Sequence, residues 1–163
     1  MAIRVFVSHR GIDSDLATHL AAQVKRHGLD TYLDVIDDAL LKEGPQLADH
    51  LLARMSECQQ LIAVLSNQTK GSWWVPWEIG VGSEKGFRMA SYSRQSVDLP
   101  SYLRKWPDLH SDTDIAIYCR LSQEVATEVA RRERLALSEE ARVHVRKSQA
   151  LDFHTRLKAQ LGR

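Results

Sequence analysis

The chain has 163 residues, of which 44% are hydrophobic and 26% charged, the composition of one globular domain or of a domain with a small extension. The 22 Lys and Arg against 21 Asp and Glu leave a formal charge of +1, which argues against a generalised binder of nucleic acid or anionic membrane and, with so many apolar residues, against intrinsic disorder. Cys58 and Cys119 cannot build a disulfide framework or a structural zinc site on their own. No run approaches the roughly 20 apolar residues of a membrane span, and the first residues lack the pattern of a secretory signal, so a soluble cytoplasmic domain is expected.

Ile3–Ser8 is a short β-branched and aromatic run that reads as a buried strand. Ile12, Leu16, Leu20 and Val24 then recur at helical spacing as far as His27-Gly28, where glycine suits a left-handed C-terminal position. Leu29–Asp34 reads as a second strand, Val35–Gly44 as a long loop, and Pro45 opens a helix with Leu47, Leu51, Leu52, Met55 and Cys58 on its apolar face. Gln60–Ser66 is the clearest core strand. A helix follows over Trp73–Gly82, with Pro76 in its first turn, where its missing N–H costs nothing. A fourth strand is expected near Phe87–Tyr92 and a last one at Asp114–Cys119, followed by helices over 122–137 and 139–161. Ser138 with Glu139 and Glu140 is a good start signal for the last helix, whose apolar side is expected to carry Ala141, Val145, Ser148, Leu151 and Leu157.

Strands alternating with helices imply a parallel sheet covered on both faces, and the economical form is a flavodoxin-like five-stranded sheet in order 2-1-3-4-5. Residues 131–163 hold 9 Lys/Arg and 4 Asp/Glu (+5), whereas residues 1–130 hold 13 and 17 (−4), so a core domain over 1–137 and a C-terminal helical extension over 138–163 are expected. In an open sheet of this order, ligands bind beyond the carboxyl ends of strands 1 and 3, which directs attention to residues 8–11 and 66–78.

Three tryptophans fall within five residues, Trp73, Trp74 and Trp77. They read either as core aromatics or, for at least one of them, as the wall of a cleft that stacks on a planar ring. Glu78 stands four residues after Trp74, on the same helical face. Bracketed by indoles it would be partly desolvated, with a raised pKa of use in a site; the plainer alternative is a solvent-facing glutamate.

The blocks VFVSHRGIDSD, LDTYLDVIDDALLKEGPQLADHLLARMSECQQLIAVLSNQT and SWWVPWE, in this order over residues 3–80 with looser agreement to about 120, resemble a Toll/interleukin-1 receptor (TIR) domain. They are especially similar to TIR domains of plant immune receptors and of bacterial antiphage proteins of the Thoeris type. The resemblance implies the flavodoxin-like fold and, in many members, cleavage of NAD+ between nicotinamide and ribose by a glutamate within W-x-x-x-E, here Trp74 to Glu78. It suggests Ser8, His9 and Arg10 as nucleotide contacts and Asp34 as a position common in the family. It also equates Asp37, Asp38, Lys42, Glu43 and Gly44 with the loop that governs site access and assembly, and places Trp74 or Trp77 beneath the site or against nicotinamide. Phe6 reads as core. NAD+ would be substrate, with no bound cofactor and no metal; self-association through TIR–TIR contacts and a separate effector that answers to the product are further implications. A non-catalytic adaptor and a nucleoside deoxyribosyltransferase-like enzyme are the alternatives. Val75 stands where plant members usually carry Cys, and Gly80 and Gly82 are unusual inside a helix, where each glycine costs about 1 kcal/mol relative to Ala.

Overall fold

Residues 3–33 and 45–163 are described by a computed structural model; Asp34, Asp37, Asp38, Lys42, Glu43 and Gly44 lie outside the described residues. Strands β1 (Arg4–Ser8), β2 (Asp30–Leu33), β3 (Gln60–Val64), β4 (Arg88–Tyr92) and β5 (Asp108–Leu109) form one parallel sheet in the order β2-β1-β3-β4-β5, as the alternation of elements implies. Helices α1 (Ser14–Arg26), α2 (Pro45–Ser56), α3 (Trp74–Glu84), α4 (Asp112–Leu135) and α5 (Glu139–Leu161) cover it.

The two-residue period of the strands divides the core into two layers. Val5, Val7, Ile62, Val64, Ala90 and Tyr92 face one way, onto α1, α4 and α5. Phe6, Leu61, Ala63 and Met89 face the other way, onto α2 and α3. Phe6 is fully buried, as expected of a core residue, and stacks on Tyr32 with ring centroids 5.6 Å apart. The register places Ser8, the last residue of β1, beside Ala63 near the end of β3, so the loops leaving these two strands emerge together.

Asp114–Cys119 is not a strand. It is the first part of α4, and the last strand is Asp108–Leu109. Ser111 caps the helix by accepting from the Asp114 N–H, Asp112 and Asp114 lie in the first turn, and Ile115, Tyr118, Cys119 and Ser122 recur at helical spacing on its buried face. The α5 helix runs as expected, with the Ser138 hydroxyl accepting from the Ala141 N–H. Its buried face keeps Leu157 of the expected side but is otherwise made of Gln149, Ala150, Phe153 and His154, while Leu151 is exposed. The difference arises because α5 packs against α4 and β4: Phe153 meets Tyr118 edge to face at 5.5 Å, and His154 Nε2 accepts the Met89 N–H at 2.8 Å. That N–H lies on the side of β4 where the two-residue β5 pairs only with Ser91 and Tyr92, so a helix side chain satisfies what the ladder leaves open.

Two glycines show why their backbone matters. Gly86, after α3, has φ of +71° and leaves room for the α5 backbone, since a Cβ there would lie 3.1 Å from the Lys147 nitrogen. Gly82 packs α3 closely onto the sheet; its Cβ would meet Leu61 at 3.3 Å. Gly80, by contrast, faces open space.

Candidate active site

The loops that leave β1 and β3 are tied to each other by polar side chains. The Ser66 hydroxyl donates to Asp13 Oδ2 at 3.0 Å, and Thr69 Oγ1 accepts the Ser66 N–H at 2.8 Å. Arg10 Nη1 donates to the backbone oxygen of Gln68, and its guanidinium packs against Gly71, whose missing side chain leaves the space. Sequence reading passed over Asp13, Ser66 and Thr69; the only signal was that Ser66 and Thr69 lie in one of the two segments that the strand order singles out, and that Asp13 follows the other by two residues.

Ser72 lies two residues before α3, its hydroxyl accepting the Val75 N–H of the first turn at 3.2 Å. Pro76 sits in the first turn, as expected. One turn further on, Glu78 points inward rather than to solvent and is completely buried. Burying a carboxylate is costly unless hydrogen bonds replace its water. The Ser8 hydroxyl, itself 1% exposed at the end of β1, donates to Glu78 Oε2. Two residues 70 positions apart in the chain thus meet where the strand order reverses.

His9, next to this pair, is fully buried; its Nδ1 lies 3.2 Å from the Val7 oxygen, and its Nε2 has no hydrogen-bond partner among the described residues. Trp74 and Trp77 are half-buried, packed edge to face at 5.5 Å against the α2/α3 layer of the core. Trp73 is 90% exposed. On the β2 side, Tyr32 Oη and His50 Nε2 are 3.4 Å apart; nothing in the sequence marks His50 beyond its place beside the apolar stripe of α2. The structure therefore brings Ser8 and Glu78 together, leaves His9 beside them, turns Arg10 toward the loop after β3, and packs Trp74 and Trp77 on the core.

Among the described residues, no group of three or more His, Cys, Asp or Glu is arranged to hold a metal ion. Also among them, no helix is long and apolar enough to cross a membrane. Cys58 and Cys119 are free and buried, and burial pushes both thiols up to about 12, so neither offers a thiolate nucleophile near neutral pH.

A parallel sheet in this order, with an acid and a serine meeting at its reversal point, defines a flavodoxin-like domain, a fold in which ligands bind beyond the carboxyl ends of the strands at such a point. The chain belongs to the TIR domain family, whose model matches residues 5–131. It is 32% identical over 79 residues to a protein of Bacillus cereus (strain MSX-D12) named probable 3′ cyclic ADP-D-ribose synthase ThsB′. The match covers 47% of this chain and 41% of the relative, so the chain spans about two-fifths of the length of that protein. Among solved structures, it is similar to the TIR domains of the activated Roq1 resistosome directly recognizing the pathogen effector XopQ, with 22% identity, TM-score 0.44, and coverage of 91% of this chain and 84% of that one. A diflavin flavoprotein A3 from Nostoc sp. is similar at 11% identity and TM-score 0.46, covering 99% and 98%.

Proposed function

We propose that the chain cleaves NAD+ at the bond between nicotinamide and ribose, with Glu78 as the catalytic carboxylate. The observation that carries this reading is the buried Glu78, held by Ser8 at the point where the strand order reverses. Cleavage breaks the bond between ribose C1′ and the ring nitrogen, and the electron pair leaves with nicotinamide. The cationic ring becomes neutral, so no strong general acid is needed. Positive charge grows on C1′ and the ribose ring oxygen. A carboxylate held in place beforehand, in a dry setting, stabilises that charge without reorganising. An oxygen nucleophile then bonds to C1′ and releases its proton to Glu78 or to water. Water as nucleophile gives ADP-ribose; a hydroxyl of the same ADP-ribose gives a cyclic isomer. The name of the Bacillus cereus relative favours the cyclic product.

In this reading, Arg10 meets the pyrophosphate with the N–H groups that Gln68 leaves unused, and His9 contributes its Nε2. Asp34 and Lys42 are assigned to substrate binding, and Trp74 and Trp77 back the nicotinamide pocket. NAD+ is consumed as substrate and no resident cofactor takes part. The product acts as a signal to a separate effector, as in antiphage defence. Glu78 has no solvent exposure, so it must be uncovered before NAD+ arrives. Assembly of several copies supplies that step, and specific activity is expected to rise with protein concentration.

The exposed Trp73 and Ile12, at 90% and 67%, favour a second reading, a non-catalytic module that works through contacts of this surface. One experiment separates the two. Purified protein is incubated with NAD+ at several protein concentrations, with nicotinamide release followed by chromatography and the co-product by mass. The enzyme reading requires release by the wild type and its loss in Glu78→Ala. No release at any concentration leaves the interaction module.

A further inference from the structure

At the end of the sheet opposite Ser8 and Glu78, the starts of β3 and β4 and the ends of α2 and α3 meet α4 and α5 around a cavity of about 580 Å3. That volume is in the range of small-molecule sites, and Met55, Phe87, Val129, Val143 and Ala150 give it apolar walls.

Two polar side chains that line it are more than nine-tenths buried and incompletely bonded. Arg88 is 6% exposed and Gln149 4%, and neither Arg88 Nη1 nor Gln149 Oε1 has a hydrogen-bond partner among the described residues. The rest of the guanidinium is engaged. The Gln60 amide takes the orientation in which its oxygen accepts from Arg88 Nε and Nη2, at 3.2 and 3.0 Å, while its nitrogen donates to the Tyr118 and Ser122 hydroxyls at 2.5 and 3.0 Å. Arg88 is thereby fixed, with one terminal nitrogen left over. Glu133, whose charge acts on Arg88, is bonded to Arg146 at 3.3 Å instead.

A guanidinium does not shed its proton to escape desolvation, so the free nitrogen requires an acceptor, and an anionic one serves best. Lys85, Arg88 and Arg146 line the cavity against Glu84 and Glu133, three cations to two anions, which one negative charge balances and a phosphate dianion oversteps. Gln149 Oε1 requires a donor.

We infer that this cavity is a second ligand site, one that takes a small organic monocarboxylate with an apolar body and a hydroxyl or amide donor. Arg88 Nη1 holds the carboxylate, Gln149 accepts from the donor, and the apolar walls cover the body. The site is independent of the NAD+ reading, since it lies at the far end of α3 from Trp74 and Glu78.

The test is calorimetric titration of the full chain with benzoate, 3-hydroxybenzoate, benzamide and inorganic phosphate. Both carboxylates are expected to bind, the hydroxylated one more tightly, with benzamide and phosphate weaker by about tenfold or more. Arg88→Gln is expected to weaken both carboxylates by about tenfold or more. Gln149→Leu, which removes an unbonded acceptor from a buried place and so does not threaten folding, is expected to erase only the advantage of the hydroxyl. Glu78→Gln is expected to bind benzoate like the wild type, whatever its effect on NAD+. The inference is overturned if neither carboxylate binds, as for a cavity holding only water, or if benzamide or phosphate binds as well as benzoate. It is equally overturned if a folded Arg88→Gln binds benzoate unchanged, or if the hydroxyl advantage survives in Gln149→Leu.

Discussion

At each end of the sheet a buried ionisable side chain is held through a neutral residue of a neighbouring strand. At the carboxyl end, Glu78 of α3 is bonded by the hydroxyl of Ser8, the last residue of β1. At the amino end, Arg88, the first residue of β4, is bonded by the amide of Gln60, the first residue of β3. A net charge of +1 therefore conceals a buried acid and a buried base at opposite ends of one sheet, each out of reach of water. What supports them differs. The carboxyl end is built from the loops after β1 and β3 and the start of α3, tied together by Asp13, Ser66 and Thr69. The amino end depends on α5, which supplies Gln149 and docks late in the chain. The lesson is that the two ends should be separable: loosening α5 should empty the amino end and leave the Ser8–Glu78 pair standing.

Acid gives the largest separation. Burial, with smaller effects from Lys158 and Lys105, pushes the His154 pKa down to about 4 from 6.5. As pH falls below 6.5 the unfolded chain takes up the proton first, and a protonated Nε2 can no longer accept the Met89 N–H. The contribution is complete above about pH 6.5 and lost progressively toward pH 4, at most about 3 kcal/mol. Urea unfolding at pH 7 and pH 4.5 should show the loss, and His154→Gln, which keeps an acceptor but does not titrate in this range, should flatten it. Benzoate binding should weaken over the same interval.

Ser8→Ala tests the other end. It deprives Glu78 of a charge-assisted hydrogen bond worth about 1.5–3 kcal/mol, so nicotinamide release should fall about 10- to 100-fold. Benzoate affinity should not change.

The glycines provide the smallest contrast. Gly86→Ala puts a Cβ onto the α5 backbone at a φ of +71° and is expected to cost about 1–2 kcal/mol, with benzoate affinity falling as α5 shifts. Gly80→Ala, in open space within α3, should instead stabilise by up to about 1 kcal/mol. Denaturant midpoints of the two variants decide both, and equal shifts of the same sign would count against the packing described for α5.

The same division explains what could be read without coordinates. The strands β1 and β3 are short continuous apolar runs, the α3 start carries its own Pro76 and tryptophans, and Glu78 follows Trp74 by one turn, so the carboxyl end was legible from local pattern. Asp114–Cys119 misled because Ile115 to Cys119 form a short continuous apolar run like that of a buried strand; its helical stripe emerges only when Tyr118 and Ser122 are seen to bond Gln60 of β3. Leu151 misled for a similar reason. The face that α5 buries is chosen by Phe153 against Tyr118 and by His154 against a strand N–H, contacts that no spacing within α5 reveals. Arg88 and Gln149 belong to no motif at all; they meet only because α5 returns along β4.

The central claim is that the charge of Glu78, held by Ser8, drives cleavage of NAD+. Glu78→Gln keeps the shape and an oxygen that can accept from Ser8 while removing the charge. The most direct measurement is therefore nicotinamide release from NAD+ by the wild type and Glu78→Gln at equal, high protein concentration. The account requires steady release by the wild type and a fall of about 100-fold or more in the variant. Comparable rates in the two proteins would contradict it.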